Sequence, residues 1–369
     1  MKTFQLIQRQ QLRGAEVFAS QLAAHLANLG HETVIVSLYA GEAQLPFNGR
    51  KKSIGAVARK RFFDFSAWRR LAKMIRQEDP DIIQANAGDT LKYAVFSKIF
   101  FGWRQPIVFR NASTISLYIT NYRLKIWNKL FFLFAKKIIS VSNASAADFK
   151  NVFPGFQHKV LPIPIGIENE VMNAWHTEKA RVKYRDNYTN SNPVFIHVGG
   201  FTYEKNHEEL ISIFEGIVKS IPSANLYLVG DGPLRKNIEN IIFKKGLSNK
   251  VKMFGFQKNV LPLISEADVL LLPSIIEGLP AVILEAFFCR TPVVAYNVGG
   301  ISEIVISDET GYLIEKGRTN EFINAALQAL QDVDKNKYLE ENAYTLATTQ
   351  YSNKKIAERF LGAYETLIG

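Results

Sequence analysis

The stretch 267–290 constrains the fold more than any other part of this sequence. It reads ADVLLLPSIIEGLPAVILEAFFCR, a short apolar run that ends at Pro273 and a longer apolar run that follows Pro280. This order predicts a buried strand, a loop, and a buried helix that opens at Pro280. The free backbone N–H groups and the dipole at the start of such a helix favour a phosphate or another anion in the loop.

Two carboxylates flank this helix start. Glu277 lies in the loop, and Glu285 is the only polar residue between Ala281 and Cys289. At about 1.5 Å per residue the two lie on the order of 8 to 10 Å apart along the helix, which suits a ligand with polar groups on both sides of a diphosphate. Because an unpaired carboxylate is costly in a buried helix, we expect Glu285 to have a partner or to face a cleft. The alternative is a thin solvent-facing stripe.

Glu277 and Glu285, with seven residues between them that begin Gly278-Leu279-Pro280, resemble the signature of the retaining glycosyltransferases of family four, also called glycosyl transferases group 1. The resemblance implies an α/β protein with the GT-B fold: two facing Rossmann-like domains with mostly parallel sheets, and a C-terminal helix that crosses back to the N-domain. It also implies that Glu277 contacts the donor sugar and Glu285 the ribose of the nucleotide. Gly278, Leu279 and Pro280 then belong to the donor site.

Chain length and cysteine content set the broad class. At 369 residues the chain exceeds one ordinary hydrophobic core, so we expect two domains. Cys289 is the single cysteine, so no intramolecular disulfide can form, which fits a reducing cytoplasm. The N-terminus carries no apolar signal core, and no run approaches roughly eighteen uncharged apolar residues. We therefore expect a cytoplasmic protein that neither is secreted nor spans a membrane.

The first half of the chain predicts a Rossmann-like unit. Arg13-Gly14-Ala15-Glu16 resembles the family's Gly-Gly-Ala-Glu loop, whose glycine lets the backbone approach donor phosphates and acceptor. A tight turn into a helix explains Gly14 equally well. The full G-x-G-x-x-G fingerprint is absent, which disfavours NAD binding. Short buried runs alternate with helical segments, which indicates a mostly parallel sheet with strands at 4–8, 31–38, 81–84, 106–110 and 137–141.

The second half repeats this pattern from residue 194 onward. The loop 199–207 resembles the family loop in which an Arg and a Lys hold the donor diphosphate. Lys205 matches the Lys, and Gly200 stands where many members have Arg, so another residue would have to supply the second cation. A solvated loop lysine is the alternative for Lys205. Phe256 falls where family members meet the nucleotide base, although core packing is the better explanation for this residue on its own.

Two segments place the domain boundaries. Residues 159–166 resemble the family's last N-domain strand and linker, and the polar stretch 168–192 leads into the second domain. We predict an acceptor-binding domain at residues 1–167, completed by the helix 353–369, and a nucleotide-sugar-binding domain at residues 168–352.

The positive charge is concentrated in the first part of the chain. The net charge is +11, and residues 1–150 hold 23 Lys and Arg against 9 Asp and Glu. The basic segments 50–70 and 122–137 interleave these cations with aromatic residues, as an interfacial helix does at anionic lipid. Helices that pack their aromatics inward and leave their lysines in water fit the pattern equally well. No nucleic-acid-binding motif accompanies the charge, so we expect no nucleic-acid partner.

Metal sites and hydrolase motifs receive no support. Asp79-Pro80-Asp81 and Asp332-Val333-Asp334 fit a D-x-D pattern, but each falls at a helix end where Asp is a common turn residue. The histidines have no zinc-site spacing, and no Gly-x-Ser-x-Gly elbow occurs. We therefore predict no metal site and no cofactor besides the donor.

These features together predict a retaining, metal-independent hexosyltransferase. Its donor is a UDP- or GDP-linked sugar, and its acceptor is a saccharide or a lipid-linked molecule of cell-envelope or surface polysaccharide synthesis. Lys205 and Glu277 are the predicted catalytic residues, with Lys205 and the helix start stabilising the leaving diphosphate. One rival is a sugar-phosphate synthase or phosphorylase of the same fold. Another is a basic membrane- or polymer-binding protein without activity.

Overall fold

The computed structural model describes residues 1–60, 63–168 and 192–368. The chain divides into two compact units, one comprising Met1–Gly166 and Asn353–Gly369 and the other Ile167–Ser352. Arg61 and Phe62 of the first basic segment lie outside the described residues. So does the polar stretch 168–192, apart from its two end residues.

The first unit is built on a parallel seven-stranded sheet with the order β3-β2-β1-β4-β5-β6-β7. The edge strand β3 was not predicted, because its three residues Lys-Lys-Ser carry no apolar signal. The elements in chain order are β1 (Lys2–Arg9), α1 (Gly14–Asn28), β2 (Glu32–Tyr39), β3 (Lys51–Ser53), α2 (Phe65–Glu78), β4 (Ile82–Ala85), α3 (Gly88–Phe101), β5 (Ile107–Asn111), α4 (Tyr122–Phe134), β6 (Ala135–Ser140), α5 (Asn143–Val152) and β7 (Val160–Pro162).

Side chains of these strands alternate between the two faces of the sheet, as the period of two requires. On β5, Ile107 and Phe109 enter the large apolar cluster formed with α2 to α5. Arg110 follows Phe109, and its guanidinium carbon lies 4.0 Å from the ring centroid of Phe18 on α1. The face opposite the large cluster is therefore the one covered by α1.

The second unit carries a parallel six-stranded sheet with the order β10-β9-β8-β11-β12-β13. Strands β11 and β12 are buried along their whole length, which explains their unbroken apolar sequences. The elements are β8 (Val194–Val198), α6 (His207–Ser220), β9 (Asn225–Val229), α7 (Arg235–Lys244), β10 (Val251–Gly255), α8 (Leu261–Ser265), β11 (Val269–Leu272), α9 (Ala281–Cys289), β12 (Val293–Tyr296), β13 (Tyr312–Ile314), α10 (Thr319–Gln331) and α11 (Val333–Gln350).

The last helix, α12 (Asn353–Ile368), belongs to the first unit and packs against α1. Tyr364 joins it to the sheet through a closed ring of buried hydrogen bonds. Its hydroxyl donates to Gln84 Oε1, Gln84 Nε2 donates to Asn86 Oδ1, Asn86 Nδ2 donates to Gln5 Oε1, and Gln5 Nε2 donates back to the hydroxyl. Each side chain in the ring thus donates one hydrogen bond and accepts another, which offsets the desolvation cost of burying the four polar groups.

Candidate functional site

The strand order of the second unit reverses between β8 and β11. The chain runs from β8 outward to β10, returns to β11 beside β8, and then runs outward in the other direction. Ligands of parallel α/β sheets bind at the carboxyl ends of the strands where such a reversal opens a crevice. The loops that follow β8 and β11 therefore form the candidate site.

An ion pair joins these two loops. Lys205 ends the short 3₁₀ turn Tyr203–Lys205 after β8, and its Nζ donates to Glu277 Oε1 in the loop after β11 at 2.6 Å. Both side chains are largely buried, with 21% of the lysine and 9% of the glutamate exposed. The two predicted catalytic residues, 72 positions apart in sequence, are thus in direct contact, and the loop-lysine alternative for Lys205 is wrong.

Backbone hydrogen bonds hold the same two loops together. Ile275 N–H donates to Glu204 O at 2.9 Å, and the Asn206 side chain donates to Pro273 O at 3.2 Å. Gly300 N–H donates to Gly278 O at 2.7 Å, which adds the loop after β12. The position of Glu277 is therefore set by three connected loops.

Helix α9 begins at Ala281, and Pro280 is its N-cap with extended backbone rather than its first helical residue. The helix start is one residue later than predicted, because ψ of Pro280 is 119°. Leu279 is 6% exposed and packs inward. The first N–H groups of α9 nevertheless follow directly after the Glu277 loop, as the anion argument requires.

Glu285 lies on α9 without a charged or hydrogen-bonding partner for its carboxylate in the described part of the chain. Its side chain is half-buried, and burial raises its pKa to about 7. The sequence analysis expected Glu285 either to have a partner or to face a cleft, and the described residues contain no partner. Its half-buried carboxylate therefore has unused acceptor oxygens, which suit the hydroxyl donors of a ligand.

Gly200 has open space around its Cα atom, and Phe256 has an exposed side chain. A Cβ atom on Gly200 would find no atom outside its chain neighbours nearer than 3.8 Å, so a larger side chain fits there. Phe256 follows β10 and is 56% exposed. The core-packing explanation for Phe256 is therefore wrong, and the ring of Phe256 is accessible to a ligand.

Gly14 belongs to the first unit, where it is the first residue of α1. A Cβ atom there would meet nothing within 4 Å, so the backbone at the start of α1 is open. This openness supports both the loop resemblance and the simple turn, and it does not separate them.

Two histidines beside Lys205 were missed by the sequence analysis. His197 on β8 donates from Nδ1 to Leu271 O at 2.8 Å, and its ring centroid lies 4.8 Å from that of His207, the first residue of α6. Burial lowers the pKa of both, that of His207 to about 4, so both rings are neutral at neutral pH. For His197 the available signal was its place inside the apolar run 194–198.

The D-x-D pairs serve as structural elements. Asp79 is the left-handed C-cap of α2, Asp81 accepts from the backbone N–H of Lys2, and Asp332 caps α11 by accepting from Lys335 N–H. Within residues 1–60, 63–168 and 192–368, no group of three or more His, Cys, Asp or Glu side chains is placed to hold a metal ion.

The basic segment on α4 shows a mixed arrangement. Phe131 and Phe132 are buried, as the packing alternative predicted. Tyr122, Ile126 and Leu133 are 75%, 52% and 58% exposed, as the interfacial alternative predicted. Ring contacts link α4 to α3 and α2 in the order Trp127, Phe96, Trp68, Phe100 and Phe65, and they pass through the buried Trp68. Among the described helices none has the length and apolar content needed to cross a bilayer.

Comparison with known proteins agrees with this fold and shows the family. The family model "Glycosyltransferase Family 4" matches residues 12–171, and "Glycosyl transferases group 1" matches residues 181–346. HepE of Anabaena, solved with UDP and glucose, matches 99% of this chain and 100% of its own with a TM-score of 0.83 at 22% identity. The chain thus has the GT-B fold and belongs to the glycosyl transferases group 1, or glycosyltransferase family 4.

Two curated relatives match part of the chain. Alpha-D-kanosaminyltransferase of Streptomyces kanamyceticus is 29% identical over 194 residues, which are 52% of this chain and 50% of that protein. N-acetyl-alpha-D-glucosaminyl L-malate synthase of Bacillus anthracis is 31% identical over 190 residues, or 52% and 49%. The chain spans about half the length of these relatives. They are named for different sugars, so they do not identify the sugar used here.

Proposed function

We propose that this protein is a retaining glycosyltransferase that moves a hexose from a UDP- or GDP-linked donor to a saccharide or lipid-linked acceptor. The observation that carries the proposal is the Lys205–Glu277 contact at the reversal of strand order. Glu285, on the helix that follows, has no hydrogen-bond partner among the residues that the structure describes. This arrangement offers a cation and a helix start to a diphosphate, and carboxylates to hydroxyl groups on either side.

In this proposal Lys205 exchanges its partner on donor binding. Its ammonium leaves Glu277 for the diphosphate and stabilises the negative charge that develops on the leaving group. Glu277 Oε1 then accepts hydrogen bonds from the donor sugar, and Glu285 accepts them from the ribose. The proposed roles of the two units follow the family pattern: the unit 167–352 binds the donor, and the unit 1–166 with 353–369 binds the acceptor. Phe256 and the Gly278 to Pro280 backbone complete the donor site.

The donor test combines binding and product analysis. Nucleoside diphosphates and their sugars, uridine before guanosine because HepE was solved with UDP, are titrated calorimetrically without added metal. We expect binding in the absence of manganese, slow donor hydrolysis, and an α-linked product by NMR from an α-linked donor. Binding seen only with manganese, or an inverted product, rejects the proposal. Phosphate offered as acceptor separates a phosphorylase from a transferase.

We further propose that the exposed apolar face of α4 rests on an anionic membrane, on the side of the bilayer where the nucleotide sugars are made. Tyr122, Ile126 and Leu133 are exposed beside the cations Arg123 and Lys129, and such a face enters the headgroup region when cations attract the lipid. A location on the membrane suits a lipid-linked acceptor of envelope or surface polysaccharide synthesis.

A further inference from the structure

Arg110 is a buried cation that the donor site does not use. It is the penultimate residue of β5, and only 4% of it is exposed. Its Nε and Nη1 atoms have no hydrogen-bond partner in the part of the chain that the structure describes. A guanidinium carries five N–H donors in a planar fork, so most of its hydrogen-bonding capacity is unused inside the protein.

Arg110 has no ion-pair partner among the described residues. Glu16, in the first turn of α1, attracts its charge without forming an ion pair with it, and Glu16 Oε1 instead accepts from Gln11 Nε2 at 3.1 Å. Phe18 lies against the guanidinium with 4.0 Å between the guanidinium carbon and the ring centroid. Burial lowers the pKa of Arg110 to about 10, so the group stays charged at neutral pH. A buried charge with unpaired donors lowers stability unless something binds it.

The place of Arg110 in the fold favours an anion. It lies at the carboxyl end of the parallel sheet, where α1 also begins. Arg13, the N-cap of α1, makes no side-chain cap hydrogen bond, and the Gly14 backbone is open. The start of α1 and the Arg110 guanidinium thus present backbone N–H groups, helix dipole and a full charge to the same edge of this unit.

We infer that Arg110 binds an oxyanion of the acceptor, either a phosphate or a carboxylate, at the carboxyl edge of the first unit's sheet. The inference rests on the proposed function only in calling the ligand an acceptor. The anion site itself rests on Arg110 and the start of α1. The planar fork of Arg binds both kinds of oxyanion through two parallel hydrogen bonds. The cation–π contact with Phe18 then positions the fork rather than satisfying it.

A structural role for Arg110 makes the opposite prediction for stability. If Arg110 holds the fold together, Arg110→Met lowers Tm. If its charge is kept for a ligand, the apolar side chain of similar length removes an uncompensated buried charge, and Tm of the ligand-free protein rises by about a few degrees. Arg110→Lys keeps a charge without the fork.

The binding test uses inorganic phosphate, glycerol phosphate and glucuronate as probes, with glycerol and glucose as neutral controls at constant ionic strength. It is made by calorimetry in a Lys205→Gln background, which removes the cation of the donor site. We expect anion binding that weakens about tenfold in Arg110→Lys and is lost in Arg110→Met. Binding of the phosphates only, or of glucuronate only, identifies the oxyanion.

Three outcomes decide the matter. Anion binding that survives Arg110→Met, or a lower Tm for that variant, overturns the inference. Should Arg110→Met not fold, titration of the parent and Arg110→Lys decides instead, and equal anion affinity in these two proteins overturns the inference. The donor titration with Lys205 intact is run in parallel. Its failure with Arg110-dependent anion binding intact rejects the proposed function and not this site.

Discussion

The carbonyl oxygen of Glu277 lies 2.0 Å from the position that a Cβ atom on Gly299 would occupy. Gly299 also has φ of +57°, in the left-handed region that disfavours a side chain. The loop after β12 can therefore approach the Glu277 backbone only because residue 299 has no side chain. The geometry of the proposed donor site depends on this glycine, although Gly299 contributes no chemical group.

Gly299→Ala should displace the Glu277 loop and lower both donor affinity and stability. We expect a loss of more than about 1 kcal/mol, the cost of the backbone conformation alone. Gly246→Ala is the matched control, since Gly246 has φ of +68° but no atom within 4 Å of a Cβ. Calorimetric donor titration and Tm measure both. Equal behaviour of the two variants would show that the contact with Glu277 has no effect.

Lys205→Gln and Glu277→Gln should separate binding from turnover. Lys205→Gln removes the cation for the diphosphate, so we expect nucleoside diphosphate affinity to fall about tenfold or more. Glu277→Gln releases Lys205 from its ion pair, so the diphosphate should bind at least as tightly as in the parent, while turnover with the donor sugar falls most. Weaker diphosphate binding in Glu277→Gln would contradict the partner exchange.

Glu285→Gln should change the pH dependence of stability. A carboxyl group whose pKa is raised from 4.5 to about 7 on folding binds protons more tightly in the folded state, so its contribution to stability falls as pH rises from about 4.5 to 7. Glutamine does not ionise, so the variant does not lose stability in this pH range through residue 285. We expect Tm of the variant to exceed that of the parent at pH 8 and to match it at pH 4.

The same variant should bind the nucleotide less tightly, by about 1 to 3 kcal/mol for a hydrogen bond to a charged group. A stabilised variant that binds nucleoside diphosphate as the parent does would place the ribose elsewhere. Thermal melts across the pH range and calorimetric titration at one pH provide the two readouts.

Gly200→Arg should tighten nucleoside diphosphate binding by supplying the second cation that many family members carry. The position has room for a side chain, and a charge-assisted hydrogen bond to phosphate is worth about 1.5 to 3 kcal/mol. Gly200→Gln, without charge, is the control. The gain should shrink as salt is added. Equal affinity in the Arg and Gln variants would show that the second cation is already supplied by another residue.

Charge reversal at Arg123, Lys129 and Lys136 should release the protein from anionic vesicles, since each cation near such a surface contributes about 1 kcal/mol. Charge reversal at Lys219, Lys236 and Lys244, which are exposed on α6 and α7 of the other unit, is the control with the same change in net charge. Ile126→Ser with Leu133→Ser tests the apolar contribution without changing charge. Sedimentation with vesicles at two salt concentrations measures membrane binding of the charge-reversal variant, its control and the Ile126→Ser, Leu133→Ser variant. Equal sedimentation with neutral and anionic vesicles would reject the membrane proposal.

Local sequence patterns were sufficient to predict the buried strands, the helix and the loops that carry the candidate site residues. The apolar runs of β11 and α9, the loop with Glu277 and the position of Lys205 were all predicted, because buried parallel strands and their following loops have a local signature. The GT-B fold and the family follow from the same segments. Strand β3 was not predicted, because three residues at a sheet edge need no apolar side chains.

Contacts between distant positions could not be read from the sequence. Three features depend on which side chains the folded sheets bring within hydrogen-bond distance. They are the Gln5–Tyr364–Gln84–Asn86 ring, the neutral pair His197 and His207, and the Arg110 Nε and Nη1 atoms, which have no partner among the described residues. A polar residue in a strand has the same local signature whether its partner is another side chain, a ligand or water. The sequence therefore identified the family and the loops of the candidate site, and folding determined which buried polar groups are satisfied within the described part of the protein.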